Sequence, residues 1–330
     1  MKVKWHGRLS TKRDFNGGDP QGSSFGIWEY LSQSNDNAEC VDVKDRFKFV
    51  DDLSFIDIIY LLNAGITTYN IHAHVPSNIS THNQIIPSDN IKTQQHLENI
   101  NQCTKNQKMR LNEKKTKSMI FNFSKKHQFT TKLEVNKVNI EIVKEAKLLG
   151  TKITDDLSWN KNTKELVKKA FRRMQLLFKV AKFTNSKEDL KMIYTTYIRS
   201  VIEQSAVVWH SSLSAKNRKD LERVQKAAIK VILGRKYTTY KDGLKLLKID
   251  DLETRRKKLC LSFAKKCVKH EKVKDMFPLT KSMHQMKKRT KRKYQNTRTN
   301  TNRYKKSTIP YMTSLLNNDY AEKCSIIQSC

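Results

Sequence analysis

From Leu166 to Cys267 apolar residues return every three or four positions, and a chain patterned that way can bury them only as packed amphipathic helices. Leu166, Ala170, Met174, Leu177 and Ala181 form one stripe. Leu190, Ile193, Tyr197 and Val201 form a second, and Leu221, Val224, Ala228 and Ile232 a third that Gly234 closes. A fourth helix is expected to start near Asp250, which has capping-box spacing to Glu253, and to run through Leu259, Phe263 and Cys267. These stripes read as core, and so does Trp209 in "VVWHSS".

Before Trp159 the pattern is shorter and mixed. Val3 to Trp5 alternates as a half-buried strand, "NGGDPQGSS" is dense in turn formers, and Phe25, Trp28 and Leu31 have helical spacing. "RFKFV" and "LSFIDIIYLL" read as two strands with Asp51 and Asp52 at the turn between them. Residues 66–90 read as a long loop, and Ser88 or Asp89 caps a helix through about Met109 with Leu97, Ile100 and Leu111 on one face. "SMIFNF", "EVNKVNIEIV" and "KLLGTKI" read as short strands. The fold class expected is α+β, sheet-rich to about residue 158 and all-helical beyond it.

Charge narrows the partner. Against 32 Asp and Glu the 330-residue chain carries 65 Lys and Arg, a net +33, which favours a polyanion: nucleic acid first, an anionic membrane surface second. Residues 281–306 hold eleven of the basic residues and no acid, as in a solvated, poorly ordered extension or a nuclear address. Tyr294 and Tyr304 within it would suit stacking on single-stranded bases. The most apolar run, "FIDIIYLLNAGI", is broken by Asp57 and too short to span a bilayer. Six cysteines without a CxxC pair and no export signal point to an intracellular protein, nuclear or cytoplasmic, with free thiols. Cys260, Cys267 and His270 share a helical face, but zinc takes a fourth ligand and tighter spacing, so they read as buried thiols. His72, His74 and His82 read as surface residues.

Two adjacent carboxylates between apolar strands are a cost unless a cation sits between them, and a divalent metal is the natural guest. "NGGDPQGSS", "FKFVDDLS", "LNEKKTKSMIFNFS" and "KLLGTKITDDLSWNKN" together resemble, in order and spacing, the palm motifs of reverse transcriptases of non-LTR retrotransposons. The likeness continues through "RRMQLLFKVAKF" and "IRSVIEQSAVVWHSSLSAKNRKDLERVQKAAIKVILG" into "RRKKLCLSFAKKCVKHEKVKDMFP", which resemble the thumb and the region after it. The resemblance implies an RNA-directed DNA polymerase lineage with an RNA template, a DNA primer and deoxynucleoside triphosphates as partners. It makes Asp51 a Mg²⁺ ligand and Asp52 its supporting neighbour, because two-metal nucleotidyl transfer needs hard carboxylate oxygens. Pro20, Gln21 and Gly22 would line the nucleotide and template base, and Lys115, or Lys114 beside it, would protonate pyrophosphate. Leu148, Leu149 and Gly150 would grip the primer.

The family also places an aspartate on an apolar strand well before the PQG turn, and basic fingers before that. Among the residues preceding Pro20 only Asp14 and Asp19 are aspartates, both in turn-like settings. The expectation is an N-terminally truncated polymerase, inactive alone, with its Mg²⁺ site incomplete. Its parts would be a partial palm over 1–158, a helical thumb and post-thumb region over 159–280, and a basic extension over 281–330. The alternative is a non-catalytic nucleic-acid-binding protein working through thumb and extension. A third reading is that the partial palm folds poorly beside a sturdier helical part.

Overall fold

A computed structural model of the chain describes residues 4–5, 8–9, 46–49, 52–55, 88–106, 110–123, 132–271, 273–280 and 292–329, with side chains from residue 93 to 324. The architecture is mixed α and β. Two compact units divide it: residues 1–118 with 124–143, and residues 119–123 with 144–330.

The first unit is built of short pairings. β1 (Lys4–Trp5) runs antiparallel to β2 (Arg8–Leu9), and β3 (Arg46–Phe49) to β4 (Asp52–Phe55). Phe49 faces Asp52 across that second pair. α1 (Ser88–Asn106) buries Leu97 and Ile100 against Leu133, Val135 and Ile140, and Leu111 joins the cluster from beyond the helix. β5 (Lys117–Ser118) is followed by a hairpin of β6 (Glu134–Val135) and β7 (Val138–Asn139). Asn136 and Lys137 at its turn both have positive φ, as a two-residue hairpin requires. β8 (Glu141–Ile142) then returns to pair in parallel with β5.

The second unit begins with a stretch, Met119–Phe123, that is not the strand its pattern suggests. "SMIFNF" reads as one alternating strand, yet pairing stops at Ser118, and Phe121 and Phe123 are exposed. Phe123 instead lies under the Arg303 guanidinium, 5.6 Å from its ring centre. β9 (Glu145–Leu148) and β10 (Thr151–Thr154) form a hairpin. The helices follow: α2 (Asn160–Val180), α3 (Lys187–Ile193), a π-helical turn over Tyr194–Ile198, α4 (Arg199–Glu203) and α5 (Ala206–Trp209). After them come α6 (Ala215–Leu233), α7 (Tyr240–Leu247), α8 (Leu252–Cys267), α9 (Asn302–Lys305) and α10 (Thr308–Ser329).

Local chemistry sets where these helices start. Ser186, Ser214, Thr239 and Asp251 each accept a hydrogen bond from a backbone N–H three residues on, at 2.9 to 3.2 Å, which satisfies a donor the first turn would otherwise leave bare. The stripes then pack. Leu166, Ala170, Met174 and Leu177 of α2 meet Leu221, Val224, Ala228 and Ile232 of α6 in one core with Trp159 and Trp209. Each leucine, isoleucine, valine or methionine among them, fully buried, contributes roughly 1.5 to 3 kcal/mol of transfer free energy.

Two stripes differ from the sequence reading. In the second, Leu190 and Val201 are buried as expected, but Tyr194, Ile198 and Ile202 take the other inward positions, Ile193 is half-buried and Tyr197 stays exposed. The π-turn, closed by Arg199 N–H on Tyr194 O, inserts one residue and leaves Tyr197 outside the core. In the fourth, the cap is Asp251 and not Asp250, and the inward face is Leu252, Arg256, Cys260 and Ala264. Leu259 and Cys267 are only half-buried and Phe263 is exposed, because an arginine holds a core position that apolar counting skips.

The C-terminal segment also departs from expectation. Residues 281–291 lie outside the described residues, but α10 docks Met312 and Leu316 into a second cluster with Ala264, Phe277 and Tyr294. Tyr294 is buried, and its backbone N–H and C=O are both held by the Asn317 amide at 2.9 and 3.0 Å. It therefore has no free face for a base. No described helix is long and apolar enough to cross a membrane.

Candidate nucleic-acid interface

The apolar stripe of α6 leaves the opposite face to be read. Lys216, Lys219, Arg223, Lys226 and Lys230 recur at alternating steps of three and four and are all exposed. None of the five forms an ion pair among the described residues. At ~1.5 Å per residue the row extends about 21 Å along the helix. A row of unpaired cations on one face keeps its whole field for a partner.

Aromatic rings lie beneath three of these cations. Arg223 stands over Phe171 at 5.8 Å, Lys226 over Tyr240 at 5.2 Å and Lys230 over Tyr237 at 5.5 Å. Such contacts hold long side chains upright, so less rotamer freedom is left to lose when a partner binds. Tyr240 is itself fixed: its hydroxyl donates to the Glu222 carboxylate and accepts from Gln225 Nε2 at 3.0 Å. Burial and the Glu222 carboxylate push that hydroxyl well above the ordinary tyrosine range. Fully buried Gln225 completes the network, accepting from Tyr194 Oη at 2.5 Å and donating to Asp250 O at 2.9 Å.

The β9–β10 hairpin carries Leu148, Leu149 and Gly150. Leu148 pairs with Thr151, which leaves Leu149 and Gly150 as a two-residue turn with φ of 46° and 80°. A leucine in the left-handed region is strained by about 1 to 2 kcal/mol. Leu149 is nevertheless 50% exposed, so little packing offsets that strain. Glycine suits the next position twice over, because of its φ and because a Cβ there would come within 2.3 Å of the Gln204 amide. The hairpin is tied to α2 by Lys161 on Glu145 at 2.5 Å, Lys147 on Glu165 at 3.5 Å, and Lys152 N–H on Asn162 Oδ1 at 3.1 Å. Leu149→Asn is expected to raise the unfolding free energy by about 1 kcal/mol, and the urea midpoint with it, since Asn visits the left-handed region readily. A midpoint at or below wild type would mean the leucine packs better than its exposure indicates.

The remaining sequence candidates are dispersed. Lys115 is exposed in the turn before β5, its N–H held by Asn112 O and Oδ1 at 3.1 and 3.2 Å, and Lys114 is exposed beside it. Both belong to the first unit, whereas Leu148, Leu149 and Gly150 belong to the second. Asp52 heads β4, but its side chain lies outside the described residues, as do Asp51, Pro20, Gln21, Gly22 and the histidines His72, His74 and His82. The Mg²⁺ assignment falls on that same Asp51–Asp52 pair. Among the described residues no three His, Cys, Asp or Glu side chains converge on a possible metal position. Cys260 is buried, with its thiol pushed up to about 11 by desolvation; Cys267 is half-buried and His270 exposed.

Sequence reading missed the α6 row because it followed only the apolar face; the 3–4 recurrence of Lys and Arg opposite that face was the available signal. It also missed the pair behind α8. Arg256 is fully buried and donates Nε–H to His210 Nδ1 at 3.2 Å, which fixes His210 as the neutral tautomer with its proton on Nε2, 3.4 Å from Tyr311 Oη. Burial first, and the nearby Arg256, Arg218 and Lys257 charges second, hold the His210 pKa down at about 3. No protein-family profile, curated protein or solved structure matches the chain.

Proposed function

We propose that this chain is a nucleic-acid-binding protein of reverse-transcriptase ancestry, which holds a primer–template duplex along α6 and the β9–β10 hairpin. The observation that carries the binding is the row of five unpaired cations on α6, three of them seated on aromatic rings. Its length of about 21 Å suits several consecutive phosphates, one strand advancing about 3.4 Å per nucleotide along a duplex axis. Support for the ancestry is the ordered set of motifs, together with the antiparallel pairing of β3 with β4, the strand that Asp52 heads. These 330 residues offer two carboxylates by that resemblance to a reaction that runs on two metals, so the reading is binding without polymerisation.

Affinity for a primer–template duplex, measured across a salt series, tests this. Wild type is expected to lose affinity steeply with salt, and a Lys219, Arg223 and Lys226 triple glutamine variant to flatten the log–log slope by roughly 2 to 3. An unchanged slope would remove α6 from the interface. Adding Mg²⁺ and nucleotides to the same complexes should give no extension. Extension abolished by Asp51→Ala would make the chain a polymerase after all.

A further inference from the structure

The π-turn over Tyr194–Ile198 presents a residue that a regular helix would bury. Thr195 and Thr196 both turn their hydroxyls back onto Met192 O, at 3.1 and 2.8 Å, and the ladder widens to Arg199 N–H on Tyr194 O. Hydroxyls that compete for a helix carbonyl loosen the ladder at that point. Tyr194 and Ile198 stay inward, and Tyr197 is left 43% exposed.

The freed backbone has a second consequence. Tyr197 O accepts from Arg173 Nη1 of α2 at 2.6 Å and from Ser200 Oγ at 3.3 Å. Held by that carbonyl, the Arg173 guanidinium lies over the Tyr197 ring, 4.5 Å from its centre. One face of the ring is covered by a fixed cation while much of the side chain remains open to solvent. A cation on one face draws electron density toward itself and leaves the other face less negative, which favours an electron-rich heterocycle there. Exposed Lys168 and Arg172 on the same helix as Arg173, in no ion pair among the described residues, supply positive charge for a phosphate backbone.

We infer that the Arg173–Tyr197 pair is a stacking seat for one unpaired nucleobase of a single strand. This rests on the nucleic-acid reading and extends it, since a base inside a duplex has no face to offer such a seat. Arg173 acts by positioning the ring and Tyr197 by touching the base.

The test uses the full chain, a short oligothymidylate carrying one 2-aminopurine, and a blunt duplex of equal length. Wild type is expected to quench the 2-aminopurine on binding. Tyr197→Ala should weaken the single strand roughly tenfold and abolish the quench, while leaving the duplex within about twofold. Tyr197→Phe, which keeps the ring, should restore both affinity and quench, which a merely structural role would not produce for the quench. Equal weakening of both probes by Tyr197→Ala, or no weakening of either, overturns the seat. Wild type that binds the duplex but not the single strand also overturns it and leaves the duplex reading standing. Wild type that binds neither probe removes the nucleic-acid reading itself.

Discussion

Acidification from about pH 7 to 4.5 should cost this protein about 2.5 kcal/mol of stability through His210 alone. The sign follows from where the proton goes. Unfolded, the imidazole has an ordinary pKa near 6.5; folded, it is held at about 3 by burial and by the Arg256, Arg218 and Lys257 charges. Below 6.5 the unfolded chain therefore binds a proton that the folded chain refuses. The stability is complete above 6.5 and drains away as pH falls toward 3, by up to about 1.4 kcal/mol per unit. Carboxylates with lowered pKa, such as Asp156 held by the Thr154 hydroxyl and Ser158 N–H, stay ionised through most of that window. Urea unfolding of wild type and His210→Gln across the window isolates the effect. Glutamine still offers an acceptor to Arg256 Nε–H and does not titrate, so its profile should be nearly flat. Parallel profiles would mean the imidazole takes up its proton in the folded state as easily as in the unfolded one.

Gly243→Ala is expected to destabilise the chain by about 1 to 3 kcal/mol, against a helix-propensity gain of up to about 1 kcal/mol. Gly243 lies buried in α7, and a Cβ there would meet Ile229 Cγ2 at 2.5 Å and Leu233 Cδ1 at 3.3 Å. Ile229 is fully buried and β-branched, so it has no easy rotamer to retreat to. The glycine is what allows α7 to close onto α6. That closure brings Tyr240 beneath Lys226, with Tyr237 beneath Lys230 just ahead of the helix. Urea denaturation reads the stability directly. A stabilised variant would show that α7 can shift outward at no cost, and that the aromatic seats of the basic row are loosely held.

The parts of the fold that could be read in advance share one property, a period repeated over several turns. α2 and α6 bury the residues their stripes name, except half-buried Ala181 just past the end of α2, because nothing interrupts the 3–4 recurrence between Leu166 and Leu177 or between Leu221 and Ile232. The second stripe kept Leu190 and Val201 but lost Tyr197 at the π-turn, where two threonine hydroxyls bond Met192 O and hydropathy carries no trace of it. The fourth was placed on the wrong face because Arg256, with His210 as its acceptor, fills a core position. β5 to β8 are two residues each, too short for any alternation to show. Of the site, the pairing of β3 with β4, which Asp52 heads, was legible from "RFKFVDDLSF". The cationic row was equally present in the sequence, but its signal lies in charge spacing.

Burial of Cys260 gives α8 a built-in clock. With its pKa pushed to about 11, the thiol is protonated at neutral pH and buried on the inward face of α8, so an alkylating reagent reaches it only when that face opens. The rate of its modification then counts openings of the layer that holds Arg256 and His210, on the timescale of local unfolding. The half-buried Cys103, Cys267 and Cys324 react on a different schedule, and the gap between the two schedules measures how tightly the helical unit stays shut.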